Sequence, residues 1–159
     1  MHLKNIGHVL IAVHDLPRSK DFYTRVLGFE ITEEDPDHGG LFLTLGEGPH
    51  TIDLVPLPGG RPPSVPLSFA DIRPSVGFAH VAFPVESARD LRRAYFELID
   101  NQARVLGAID HESQESIYFC DPDGNALEIY WERPDAREIF RRGRKDQDRP
   151  LALSRDEIA

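Results

Sequence analysis

Two stretches of the chain run through one succession of apolar and polar patterns. The first opens at residues 6–13, IGHVLIAV, an almost unbroken apolar run that reads as a buried strand interrupted by His8. Asp15 then stands where a helix N-cap belongs, Pro17 is tolerated in the first turn, and Phe22, Tyr23, Val26 and Leu27 recur at the spacing of a buried helical face. Gly28 ends that helix. Residues 29–32, 41–45 and 51–55 are short strand candidates, separated by the turn-forming runs DPDHGG and GEGP.

The second stretch repeats the order. Residues 77–85, GFAHVAFPV, match the first strand, with His80 in the place of His8. Ser87 and Asp90 form a capping box, and Ala88, Leu91, Tyr95 and Leu98 mark an amphipathic helix. Residues 105–109, 117–119 and 126–131 supply three more strands. The pattern predicts an α+β fold of two tandem βαβββ modules, whose curved mixed sheet surrounds a common cleft. Module one covers residues 5–56, a linker 57–76 and module two 77–133, together one domain over 1–133. From Pro56 to Pro74 inclusive the chain carries six prolines and a Gly-Gly pair, which exclude a helix or an interior strand. A loop of this length is expected to border the cleft and to select what enters it. The charged segment 134–159 reads as one or two helical turns followed by a mobile or partner-docking tail.

Composition narrows the possible partners. A chain of 159 residues with 40% hydrophobic content can bury one ordinary core. A net charge of -9 works against a nucleic-acid partner and offers no polybasic surface to a membrane. No apolar run approaches the roughly 20 residues that span a bilayer, and the first residues lack a signal peptide's apolar core. The expected location is cytoplasmic. The single cysteine, Cys120, allows no internal disulfide and reads as a small core residue.

Candidate chemistry centres on residues 116–131, SIYFCDPDGNALEIYW. Asp121 to Asn125 is turn chemistry between two apolar runs, so the stretch is a hairpin with Glu128 embedded in its second strand. Leu127, Ile129 and Trp131 share one face, leaving Glu128 on the other with Ala126 and Tyr130. Each copy of the repeat carries a histidine in its first strand and a carboxylate in its last: His8 with Asp53, and His80 with Glu128. His8, His80 and Glu128 make a two-histidine, one-carboxylate set, which leaves up to three positions open on a six-coordinate ion such as Fe(II) or Mn(II).

These landmarks, GHVLIAVHDLPRSKDFYTRVLGFEI, FAHVAFPV and YFCDPDGNALEIYW, resemble the vicinal oxygen chelate superfamily, which contains glyoxalase I, fosfomycin-resistance proteins, bleomycin-binding proteins and type I extradiol dioxygenases. The resemblance covers about residues 5–133 and implies His8, His80 and Glu128 as metal ligands. Residues 110–118, DHESQESIY, are similar to the segment that places a histidine and a tyrosine beside the iron of extradiol enzymes. By that resemblance His111 moves a proton during ring opening, and Tyr118 hydrogen-bonds a substrate oxygen. The implied activity is Fe(II)-dependent cleavage of a catechol with O2, in a homodimer.

Two departures keep other functions open. Most extradiol enzymes of this type carry a further amino-terminal domain and a further histidine shortly before the second metal histidine. Here His38 and His50 lie earlier, and His50, three residues before Asp53, is expected to face away from it. His2 and His14 read as ordinary terminal and strand-end residues. Glyoxalase-like members add a carboxylate from the last strand of the first module, where this chain has Asp53, one methylene shorter than the expected Glu. A lyase or isomerase site with Ni(II), Zn(II) or Co(II) would use it as a ligand or base. The third class is a metal-free binding protein.

Overall fold

The computed structural model describes the chain except residues 2–4, 36–38, 58, 61–64, 73–76, 144–146 and 159. It forms two compact units, Met1–Pro63 and Ser64–Ala159. Each holds one copy of the predicted repeat.

In the first unit, β1 (Val9–Val13) is followed by α1 (Leu16–Asp21), a wide π turn (Phe22–Val26), β2 (Glu30–Glu34), β3 (Leu41–Thr44) and β4 (Ile52–Pro56). Asp15 caps α1 by accepting from the Arg18 N–H at 3.0 Å. The π turn rotates Phe22 and Tyr23 inward, and Tyr23 meets Phe22 and Phe29 edge to face at 5.6 and 5.8 Å. Gly28, at φ 78°, makes the reversal into β2 that a side chain would resist. The sheet order is β1-β4-β3-β2, with β1 parallel to β4 and the other pairs antiparallel. Val13, Leu43, Ile52 and Leu54 are fully buried, as the apolar alternation predicts.

In the second unit, β5 (Val81–Pro84), α2 (Ala88–Asp100), β6 (Arg104–Asp110), β7 (Gln114–Cys120) and β8 (Ala126–Glu132) repeat the order. Ser87 caps α2 by accepting from the Asp90 N–H, and Leu91 and Leu98 are its buried residues. The sheet order is β5-β8-β7-β6-β9, where β9 is Arg149–Pro150. Ile117 and Phe119 of the central strand β7 are fully buried beside Leu127 of β8. Cys120 is buried as expected, and burial pushes its thiol up to about 11. A short 3₁₀ turn, Phe69–Asp71, stands within the proline-rich segment, capped by Ser68 and Asp71.

The tail differs from its expected mobility. After α3 (Ala136–Arg142), β9 (Arg149–Pro150) pairs with β6, and the Leu151 N–H donates to the Ala108 carbonyl at 2.9 Å. A terminal 3₁₀ turn (Arg155–Ile158) lies on α2, where Arg92 holds Glu157 at 3.0 Å and Arg89 donates to the Ile158 carbonyl at 2.7 Å. Arg142, Arg149, Arg155 and Glu157, among the charges that suggested a solvated tail, form ion pairs within the unit. Among the described residues, no helix is long and apolar enough to cross a membrane.

Candidate functional site

Strand register sets the two candidate clusters. Parallel pairing puts Leu10 opposite Asp53 and Ala82 opposite Glu128. His8 and His80 each stand two residues before those partners, so each unit repeats one histidine-to-carboxylate relation. Both histidines lie just ahead of their strands rather than within them, because β4 and β8 offer pairing only from Val9 and Val81 onward.

In the second unit, Glu128 is only 3% exposed. Its Oε2 is 2.9 Å from His80 Nε2, and its Oε1 accepts from Gln114 Nε2 at 3.0 Å. Burial alone would raise this carboxyl's pKa, but hydrogen bonding from His80, Ser116 and Tyr118 and the charge of His80 outweigh it, holding Glu128 below the usual carboxylate range. Tyr118 is the cross-strand neighbour of Glu128 and meets the His80 ring edge to face at 5.6 Å. Burial, and next the negative charge of Glu128, push the Tyr118 phenol well above its ordinary value. At neutral pH it therefore carries its proton and acts as a donor.

His111 is 7% exposed at the tight turn between β6 and β7. Its Nε2 lies 2.9 Å from the Tyr118 hydroxyl and its Nδ1 2.7 Å from Asp148. Phe69 closes the other side, with its ring 4.5 Å from Tyr118 and 6.2 Å from His111. The second unit thus brings together four predicted residues, His80, Glu128, His111 and Tyr118. Phe69 and Asp148 were not foreseen. Phe69 sits in the segment expected to border the cleft, whereas Asp148 has no local sequence signal, because what defines it is the pairing of Arg149 with Asp110, 39 residues earlier in the chain.

The first unit holds His8, His50 and Asp53, whose ligand atoms all lie within 4.8 Å of one another. Asp53 is 4% exposed; His50 Nδ1 is 2.6 Å from Oδ1 and His8 Nε2 is 3.6 Å from Oδ2. The two imidazoles stack at 4.3 Å. His50 thus faces Asp53, contrary to the sequence expectation. The alternation rule fails there because β4 begins only at Ile52, so His50 belongs to the turn and not to the strand. His2 and His38 lie outside the described residues.

The donor chemistry suits a divalent ion. Two ligands at right angles, each roughly 2.1 Å from an ion, stand about 3.0 Å apart, close to the 2.9 Å between His80 Nε2 and Glu128 Oε2. A buried carboxylate kept ionised beside imidazole nitrogens is the ligand set that Fe, Mn, Zn, Ni or Co accept.

Comparison with known proteins gives this geometry a context. A sequence profile of the Glyoxalase/Bleomycin resistance protein/Dioxygenase superfamily matches residues 5–129. A biphenyl-2,3-diol 1,2-dioxygenase of Rhodococcus globerulus is 32% identical over 125 residues, covering 78% of this chain and 61% of the relative. A catechol-2,3-dioxygenase of Bacillus subtilis is 28% identical over 148 residues, covering 89% of this chain and 45% of the relative. A lactoylglutathione lyase of Shigella flexneri is 26% identical over 138 residues, covering 83% and 96%. Among solved structures, a glyoxylase/bleomycin resistance protein/dioxygenase domain from Frankia sp. EAN1pec is 27% identical, with a TM-score of 0.67, over 84% of this chain and 95% of that one. The chain spans less than two thirds of the length of the two dioxygenases.

Proposed function

The chain belongs to the Glyoxalase/Bleomycin resistance protein/Dioxygenase superfamily, and from that premise we propose that it is an Fe(II)-dependent extradiol dioxygenase that opens a catecholic ring with O2. The observation that carries the reading is the hydrogen-bonded pair of His111 and Tyr118, with Tyr118 directly across the sheet from Glu128. Lyase chemistry has no evident use for a buried phenol and imidazole beside the carboxylate; ring opening needs a proton donor and a proton carrier there. The similarity to diol dioxygenases supports the same reading.

In this reading His8, His80 and Glu128 are the metal ligands. The bound metal supplies chelation of two vicinal oxygens and a position for O2. Tyr118, protonated because it is buried beside a carboxylate, donates to a substrate oxygen. His111 Nε2, 2.9 Å from that hydroxyl, takes and returns a proton as the ring opens. Phe69, packed on Tyr118, presents an aromatic wall that excludes water and suits a flat substrate.

The test is anaerobic loading with Fe(II), exposure to air and a panel of catechols, read as a yellow ring-fission product. Turnover that falls about 10²- to 10⁴-fold in His111→Phe, with iron retained, is expected for a general acid or base. No product from any catechol with the iron-loaded protein would remove this reaction.

One observation favours a second reading. Asp53 is buried and holds, in the first unit, the register that Glu128 holds in the second. As a further ligand it would suit a lyase or isomerase using Ni(II), Zn(II) or Co(II), in line with the similarity to a lactoylglutathione lyase. Under the dioxygenase reading, Asp53→Asn keeps most of its ring-opening rate. Activity on a hemithioacetal, lost in that variant and absent toward catechols, would install the second reading.

A further inference from the structure

The tail places a carboxylate where the proposed reaction needs one. His111 has both ring nitrogens engaged, Nδ1 by Asp148 at 2.7 Å and Nε2 by the Tyr118 hydroxyl at 2.9 Å. An ionised carboxylate can only accept, so in the neutral imidazole the proton sits on Nδ1. Nε2 is then a bare acceptor 2.9 Å from the Tyr118 hydroxyl, which also hydrogen-bonds Glu128. Were the tautomer reversed, Nε2–H would donate to the phenol oxygen and Nδ1 would face Asp148 lone pair to lone pair. Asp148 therefore decides which way the protons of the pair point.

Asp148 does not reach His111 by accident of a loose chain end. It directly precedes β9, whose pairing with β6 sets Arg149 opposite Asp110 and Pro150 opposite Ile109. Arg149 also forms an ion pair with Asp110 at 3.2 Å. Beyond the strand, Arg155 is held by Asp100 and stacks over Phe96 at 4.6 Å, and Glu157 is held by Arg92. Arg92 in turn pairs at 2.9 Å with Glu115 on β7, the strand that carries Tyr118. The strap is fastened at several points directly after the carboxylate it delivers, and the His111 ring is buried while Asp148 remains 40% exposed. An aspartate this accessible could have stayed in water, yet its oxygen is within 2.7 Å of a buried ring nitrogen.

We propose that Asp148, carried on the C-terminal strap, is a positioning residue that fixes His111 as its Nδ1–H tautomer and aims Nε2 at Tyr118, so that the strap is part of the active site. The inference rests on the proposed function only for its catalytic consequence. The tautomer itself is a property of the unliganded chain.

The test is ¹⁵N NMR of the imidazole nitrogens in metal-free full-length protein, with His111→Gln identifying the His111 signals. The wild type is expected to show a protonated Nδ1 and a pyridine-type Nε2. Asp148→Ala is expected to lose that preference and Asp148→Glu to restore it. On catechols, Asp148→Ala is expected to lower kcat by about 10- to 100-fold, the range for removing a partner that orients a histidine, with KM unchanged. A wild-type spectrum with the proton on Nε2, or an identical spectrum in Asp148→Ala, overturns the proposal, and the wild-type spectrum decides even if the variant folds badly. Because the spectra need neither metal nor substrate, failure of the wild type to cleave any catechol would overturn the reaction while leaving Asp148 to be judged on the tautomer.

Discussion

Replacing Tyr118 by Phe removes one oxygen and nothing else. The ring keeps its 4.5 Å contact with Phe69 and its edge contact with His80, so no cavity opens. What is lost is the partner of His111 Nε2, on a ring only 7% exposed. A buried polar atom left unsatisfied costs about 1–3 kcal/mol. For a chain of this size that lowers Tm by about 2–4 °C per kcal/mol. His111→Phe removes the same bond from the other side, leaving the Tyr118 hydroxyl its hydrogen bond to Glu128, and the double variant loses the His111–Tyr118 bond only once, so its loss is expected to be smaller than the sum of the two singles. The coupling should fall within about 0.5–3 kcal/mol. Urea unfolding followed by Trp131 fluorescence and by circular dichroism gives all four stabilities, with an unchanged m-value as the control. Single variants that lose less than about 0.5 kcal/mol, or losses that simply add, would refute a buried His111–Tyr118 hydrogen bond and with it the proton path drawn above.

Four further outcomes are expected. Glu128→Gln removes the anionic donor, so Fe(II) occupancy measured after gel filtration should fall well below one per chain. Because the Glu128 pKa is depressed in the folded state, its stabilising contribution is present above the unfolded carboxyl value, about 4.3, and is lost as pH falls through the lower folded value; the acid limb of a stability–pH curve should therefore flatten in Glu128→Gln. Gly124→Ala should destabilise the β7–β8 hairpin by about 1–3 kcal/mol in denaturant unfolding, since φ is 91° there and a Cβ would stand 2.7 Å from Val65 Cγ2. Light scattering should give twice the 18.0 kDa chain mass at micromolar concentration, and a monomer mass would exclude the homodimer.

The repeat was legible because each element carried its own local reason. Asp15 and Ser87 cap helices, Gly28 and the Asp121 to Asn125 turn reverse the chain, and the apolar runs of β3, β4, β7 and β8 coincide with buried positions. The second-unit cluster was legible too, since Tyr118 and Glu128 are cross-strand neighbours in a hairpin whose turn is written in the sequence. His50 was misread because a period of two holds only inside a strand, and the residue lies two positions before one. β9 was invisible for the opposite reason. Its two residues, an arginine and a proline, have no strand propensity of their own and pair only because β6 is already there to receive them.

The composition of that last strand also limits how copies of the chain can grow onto one another. A sheet edge with free N–H and C=O groups recruits further strands, and a sheet open at both edges can polymerise. In the second unit one edge is β9, where Pro150 has no N–H to offer, so a ladder arriving from that side stops. The far edge of the first unit is β2, five exposed residues of which three are glutamates, which would repel a second copy of the same strand. Among the described residues, β1 and β5 are the sheet edges left receptive. With one receptive edge per unit and one blocked, strand addition consumes the site it uses, and neither sheet can be extended on both sides as the middle layer of a growing fibre.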